Sequence, residues 1–490
     1  SLCGCIIMSG PFGSTAWMAN PASGFYDFPI TNSLRFNDDD SAYLNFTPGT
    51  AGNRRTFTFS CWVKYTVFDN GASNQPLLSG TTGSTSMISF SQSSDTPHSI
   101  FVYNAGSNIQ TNALFRDSGG WYHIVASCDT TQGTASNRTK LYINGVQVTS
   151  LATSNYPAEN ADNSINSTGL SYIGRQIGQS RYFDGYMAEV NQIDGLALGP
   201  DSFGEFKNDI WIPKDTAGLT FGDQGYRLQF KQTGTGTASS TTIGADTSGN
   251  DNHWTSNNLV ASDVVPDSPT NNFATLNPIA TDTTGATNHS FSEGSLKVST
   301  GSNSWWNAFG TIGISSGKYY WEYYALGSGS VDQNIGVCTF DWYRGSNGGA
   351  DSADAYSLYA QSAGVGILYT DGATGVDKGS GYFWTWGNIM SVAFDADTGK
   401  IWYAKNGTFL GSGDPAAGSN EAQTVTSGDL AKGMLPVFSG YHTGGTPLVN
   451  FGQDSSFAGA TTAQGNADGN GKGDFYYAPP SGFLALCTSN

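Results

Sequence analysis

Between Thr56 and Lys64 the sequence reads TFTFSCWVK, and this strict alternation is the strongest constraint on what the chain can fold into. Phe57, Phe59, Cys61 and Val63 fall on one face of an extended segment, and Thr58, Ser60, Trp62 and Lys64 on the other. A period of two belongs to a half-buried β-strand and does not fit an amphipathic helix. Short segments of the same character recur from Ser33 to about Pro213: SLRF, AYLNFT, PLLSG, SMISFSQ, SIFVYN, WYHIVASCD, KLYINGVQV, LSYIGRQ and YFDGYMAEVNQID. Gly, Asn, Asp and Ser clusters separate them, which predicts an antiparallel sandwich or jelly roll. The composition agrees, since 64 Gly, 28 Phe, 24 Tyr and 12 Trp with 12% charged residues favour short strands and tight turns over helices. At 490 residues the chain exceeds one ordinary core. The expectation is an all-β protein, two antiparallel jelly-roll-type β-sandwiches in series.

One element occurs twice. FDADTGKIWYAKNGTFL (Phe394 to Leu410) parallels CDTTQGTASNRTKLYINGVQV (Cys128 to Val148): an Asp, a Thr/Gly turn, a Lys, an aromatic-bearing strand, then Asn-Gly. Asp hydrogen-bonds the amides that follow it and Gly takes positive φ freely, so both suit a chain reversal. Asn-Gly is the strongest two-residue hairpin signal, because a type I′ turn needs positive φ twice. The element reads as strands and turns rather than as an acid pair or Ca²⁺ site at Asp395 and Asp397.

TFTFSCWVK, WYHIVASCD with KLYINGVQV, and YIGR followed by FDGYMAEV together resemble the laminin-G-like, concanavalin A-like sandwich family over residues 33–215. Further along, GKYYWEYY (Gly317 to Tyr324), FDADTGKIWYAKNG and LPVFSG…VNFGQ (Leu435 to Gln453) resemble a SPRY (B30.2-like) domain over residues 271–458. The remaining divisions are an N-terminal arm (1–32), a connector with extra strands (216–270) and a C-terminal segment (459–490). YRLQF, Trp254 and NNLVASDVV give the connector something to bury. It is expected to pack rather than to hang as a linker.

Charge narrows the partners. Asp+Glu 39 against Lys+Arg 21 gives a net charge of −18. The basic surface that phosphate binding requires is missing, so no nucleic-acid partner is expected. No run approaches 18 apolar residues, so no membrane-inserting helix is expected either. The six cysteines are too dispersed for a disulfide scaffold, and no Cys/His cluster has zinc spacing. The opening LCGC has the look of a lipoprotein cleavage box without a basic region or full apolar core before it. No cofactor is required. The one metal candidate is Ca²⁺ at Asp38, Asp39 and Asp40 in NDDDSAY, because laminin-G-like domains often bind one Ca²⁺ at a loop rim; the alternative is a solvated acidic turn.

Catalysis is not expected. Concanavalin-like hydrolases need two carboxylates flanking the scissile bond, spaced i, i+2 or i+4 on a strand. In AEVNQID, Glu189 has Asn191 and Ile193 at those positions, and Asp194 points to the other face. No G-x-S-x-G, H-E-x-x-H or P-loop motif occurs. Binding is expected instead, through loop aromatics of the SPRY-like half: Trp305 and Trp306 in SNSWWNAFG, Trp342, Tyr343 and Arg344 in DWYRGSNGG, Trp384 and Trp386 in YFWTWGN, and Tyr441 with His442.

The order of parts, from MSGPFGSTAWMANPASGFY through SLRFNDDDSAYL and DSPTNNFATLNP to FYYAPPSGFLALCTSN, resembles bacteriophage virion or tail-fibre-like structural proteins. That resemblance implies a non-enzymatic protein of the virion surface, outside the cell, binding host-surface glycans or envelope proteins and contacting other virion proteins. Fibre proteins of this kind are usually trimeric, so a homo-oligomer is expected, although no heptad repeat supports it. The alternatives are a capsid or tail decoration protein without a host ligand, a glycan depolymerase and a secreted adhesin.

Overall fold

The computed structural model describes residues 24–66, 68, 74–81, 85–92, 97–280, 289–301, 303–342, 353–441 and 443–490. Among them, 24–116 with 121–271 form one compact unit, and 117–120 with 272–490 form a second. The fold is all-β as expected, with one four-residue α-helix (Ser427–Leu430) among the described residues.

Two eight-stranded sheets build the first unit. One runs in the order Val146–Gln147, Thr139–Ile143, Tyr122–Asp129, Thr56–Tyr65, Gly185–Asp194, Ser33–Phe36 and Val264–Val265, with Tyr226–Leu228 added on Gly185–Asp194. The other runs Leu151–Ser154, Ser107–Thr111, Ile100–Asn104, Thr85–Phe90, Gln75–Thr81, Ser171–Ile173, Tyr43–Phe46 and Thr255–Asn257. Strands distant in sequence lie side by side, and the inward residues form one core that includes Phe57, Phe59, Cys61, Val63, Leu44, Ile88 and Ile173. The stretch 216–270 is therefore part of this unit: it supplies two strands to one sheet and one to the other, and Trp254 is buried in the core.

The strand Thr56–Tyr65 departs from the half-buried expectation, because Thr58, Ser60, Trp62 and Lys64 are buried too. Chain packed over the outer face accounts for it. Thr58 Oγ1 donates to Leu196 O at 2.8 Å, Ser60 Oγ meets His123 Nε2 at 2.9 Å, and Lys64 Nζ donates to Asp267 Oδ2 at 2.9 Å. Lys64 and Asp267 are both fully buried, so each depends on the other for its countercharge.

The second unit pairs a nine-stranded with a six-stranded sheet. The larger is centred on Lys318–Tyr324 and Ile389–Asp395; the smaller runs Trp306–Phe309, Met434–Gly440, Gln333–Thr339, Ala355–Gln361, Val365–Thr370 and Val376–Asp377. Trp321, Tyr323, Ile335, Leu358, Phe394 and Phe438 lie in the core between them. The end of the chain is built in as well, since Leu484–Ala485 pairs in parallel with Lys318–Tyr324. Glu322, fully buried on that strand, holds the C-terminal segment. Its carboxyl group accepts from Tyr477 N (2.7 Å), Tyr476 N (2.9 Å), Tyr320 OH (3.1 Å) and Asn450 Nδ2 (3.1 Å). Burial pushes its pKa up to about 7 despite these donors.

The repeated element is one turn built twice. Asp129 Oδ1 accepts Thr131 N at 3.0 Å, and Asp395 Oδ1 accepts Asp397 N at 3.0 Å. Asn144 and Asn406 both have positive φ (48° and 50°), as do Gly145 and Gly407 (80° and 77°). Each Asn also braces the neighbouring strand: Asn144 Oδ1 accepts His123 N at 2.7 Å and Asn406 Oδ1 accepts Ile389 N at 2.9 Å. The element specifies hairpins in two sandwiches.

Candidate functional site

The register of the six-stranded sheet brings four strand ends to one rim. Trp306 pairs with Gly440, Gly440 with Gln333, Gln333 with Ala360, and Gln361 with Val365. The residues just beyond those ends, Trp305, Asp332, Ser362 and Tyr441, therefore converge although they lie far apart in sequence. They line an open cleft of about 470 Å³ together with Tyr359, Gln361 and Ala363. The Trp305 ring lies 5.6 Å from that of Tyr441 and 5.9 Å from that of Tyr359, and Trp305 and Tyr441 are half-exposed. Asp332 is nearly buried at the floor, where its carboxylate accepts the Tyr359 hydroxyl and Ser362 N (3.1 Å), while its carbonyl accepts Tyr441 N (3.1 Å). Apolar ring faces beside fixed polar groups suit a sugar, whose C–H face stacks and whose hydroxyls need partners.

Of the loop aromatics read from sequence, Trp305 and Tyr441 line this cleft. Trp306 and Trp386 lie beside it: Trp306 is buried against Gly440, and Trp386 Nε1 donates to Gly329 O at 2.8 Å. Trp306, at 2% exposure a member of the core, requires correction, as do Trp342 and Trp384. Trp342 is buried against Phe309 with ring centres 5.6 Å apart, and Trp384 is fully buried in the core of the unit. Both rings are packing elements of the sandwich. Tyr343, Arg344 and His442 lie outside the described residues. Sequence reasoning missed Asp332, Tyr359, Gln361 and Ser362, whose proximity is set by strand register and leaves no local signal.

In the acidic turn the three carboxylates are spread apart. Asp39 and Asp40 are exposed, Asp40 Oδ2 accepts Asn37 Nδ2 at 2.9 Å, and the three carboxylates do not bring ligand oxygens together. Burial, and then the charge of Asp39, raise the pKa of Asp38. The carboxylates that do cluster among the described residues are Asp354, Asp371 and Asp429. Lys432 already serves them as cation: its Nζ bonds Asp354 and stands 2.9 Å from Asp429 Oδ1.

Two arrangements with a catalytic look prove structural. Glu189 sits at a bulge with φ 45°, where Oε2 accepts Arg227 Nε at 3.0 Å and Oε1 accepts Gln229 Nε2 at 2.8 Å. Ser60 and His123 touch, but the Trp211 indole donates to His123 Nδ1 at 3.0 Å. An indole N–H can only donate, so Nε2 carries the imidazole proton and donates it to Ser60 Oγ. That tautomer cannot act as base toward Ser60, and burial drives the pKa of His123 down to about 3. In the cleft, Asp332 is the only carboxylate among the described lining residues, where glycoside hydrolysis needs two.

Residues 38–202 match the model of the concanavalin A-like lectin/glucanases superfamily. The first unit thus contains a concanavalin A-like jelly-roll domain. No curated protein gave a significant match to the chain. Among solved structures, the SPRY domain of human HERC1 aligns at 17% identity with a TM-score of 0.27, covering 36% of this chain and 96% of that one. A protein from Bacteroides ovatus ATCC 8483, named for a proposed carbohydrate-binding role, aligns at 21% identity with a TM-score of 0.35, covering 47% of this chain and 59% of that one.

Proposed function

We propose that this chain is a non-enzymatic recognition protein of a virion surface that binds host glycans, with the Trp305–Tyr441 cleft as a principal site. One observation carries the reading. Two half-exposed rings 5.6 Å apart converge on a rim where Asp332, Ser362 and Gln361 supply polar groups. The rings would take the apolar face of a pyranose, and the polar groups would fix its hydroxyls. The match of residues 38–202 to a superfamily that includes lectins supports a binding role for the chain, and the presence of one carboxylate among the described lining residues of the cleft argues against hydrolysis there. Placement on a virion rests on the chain-long sequence resemblance described above.

An array of neutral glycans probed with the full chain and with Trp305→Ala tests the proposal. Saturable binding that Trp305→Ala abolishes is the expected result. Array binding that Trp305→Ala leaves unchanged, or shortening of a host polysaccharide on incubation with the protein, overturns it.

A further inference from the structure

Arg175 is an anomaly in the first unit. Its guanidinium carbon lies 4.8 Å from the ring centre of Tyr43, 4.8 Å from that of Tyr172 and 5.6 Å from that of Tyr182. Among the described residues its side chain makes no hydrogen bond and no ion pair, and its buried Nε has no acceptor. The other buried cations of this unit are used differently. Lys64, Arg35 and Arg227 each have a carboxylate within 3.3 Å. In a chain of net charge −18, a guanidinium without an acidic partner is conspicuous. It can only donate hydrogen bonds, and nothing in the described protein accepts them.

The fold builds this arrangement on the sheet face opposite the core. Leu44 and Ile173 point into the core, so their neighbours Tyr43 and Tyr172 point away from it, on adjacent strands with rings 5.4 Å apart. Gly174, at φ 80°, turns the chain where a Cβ would strike Phe36. Arg175 then follows, its carbonyl fixed by Ser79 Oγ at 2.7 Å. The hairpin returns through Gln176 N to Arg181 O (2.9 Å) and sets Tyr182 opposite Arg175. The three phenol hydroxyls make no hydrogen bonds within the described protein either. Fixed rings, and hydroxyls and a cation without hydrogen-bond partners among the described residues, therefore share one surface.

We infer that Arg175, Tyr43, Tyr172 and Tyr182 form a second binding site, for a sugar-borne oxyanion, either the carboxylate of a uronate or a sulfate ester. The planar guanidinium matches such a group in charge and in hydrogen-bond geometry, and the hydroxyls would bond the rest of the sugar. Asp38, Asp39 and Asp40 in the turn before Tyr43 disfavour diffuse attraction of anions. Selectivity then has to come from direct contact with Arg175.

The site stands independently of the Trp305 cleft, and its test separates the two. Calorimetric titration of the full chain with oligogalacturonate, a sulfated galacto-oligosaccharide and a neutral galacto-oligosaccharide, at ionic strength of about 0.15 M, screens long-range charge beyond roughly 8 Å. At least one acidic oligosaccharide should bind saturably in a component that depends on Arg175, and the neutral one should show no such component; whichever acidic probe binds identifies the anion. Arg175→Gln should weaken that binding roughly tenfold or more, and Tyr182→Phe, which keeps the ring, roughly two- to tenfold. Trp305→Ala should leave it unchanged. Absence of binding by both acidic probes, binding of the neutral one that Arg175→Gln weakens equally, or an affinity indifferent to both Arg175→Gln and Tyr182→Phe overturns the inference.

Discussion

The buried carboxyl of Glu322 makes the second unit's stability depend on pH in the direction opposite to ordinary acid denaturation. Burial raises its pKa from 4.5 to about 7 in the folded chain. Between those values the folded state holds a proton that the unfolded state has released. Stability from this group is therefore fully present below pH 4.5 and is lost as pH rises through 7. At about 1.4 kcal/mol per pH unit of displacement, the effect amounts to about 3 kcal/mol. Glu322→Gln removes the ionisation but keeps the shape. It also turns an NH₂ toward donors such as Tyr476 N and Asn450 Nδ2, so its cost is constant across pH. The assay is urea unfolding of both proteins from pH 4.5 to 8.5, followed by hydrogen exchange at the Tyr476 and Tyr477 amides. The variant's deficit should shrink by about 3 kcal/mol as pH rises through this range, because only the wild type loses stability there. Parallel stability curves would refute the reasoning, because they would mean that the four donors hold the carboxylate ionised in spite of burial.

Other outcomes follow from the first unit and the cleft. Lys64→Met should destabilise by about 3–5 kcal/mol in urea by stranding the Asp267 charge, and adding Asp267→Asn should recover part of the loss. His123 should show no NMR titration between pH 5 and 8. Because its pKa is depressed to about 3, stability that is present above pH 6.5 should be lost as pH falls toward 3. Tyr441→Ala should abolish binding to an array of neutral glycans with little change in the thermal midpoint, since the ring is half-exposed. Gly336→Ala should destabilise the second unit by more than about 2 kcal/mol on thermal melting, because its Cβ would stand 2.0 Å from Tyr356 O.

Local chemistry carries the parts of the structure that the sequence announces. The period of two in TFTFSCWVK placed Phe57, Phe59, Cys61 and Val63 together in a core, because neighbouring side chains of any strand point to opposite faces. The aspartates and Asn-Gly pairs set their turns by bonding amides two or three residues away and by adopting positive φ, which needs no distant partner. Nothing local marked the other face of that strand as buried, since Leu196, His123 and Asp267 reach it from far along the chain. Nor could sequence distinguish Trp305, half-exposed on a rim, from Trp342 and Trp384, which look alike in glycine-rich loops and are buried.

The sequence by itself determined that this is an all-β protein with two sandwiches, and where its hairpins turn, because alternation and turn chemistry act over a few residues. Tertiary structure alone decided which aromatics are half-exposed on a rim, that Asp332 lines the same cleft as Trp305 and Tyr441, and that Arg175 lies among three tyrosines with no acceptor among the described residues. Those facts depend on which strands become neighbours and in what register, and register is fixed by the packing of whole sheets rather than by any one segment.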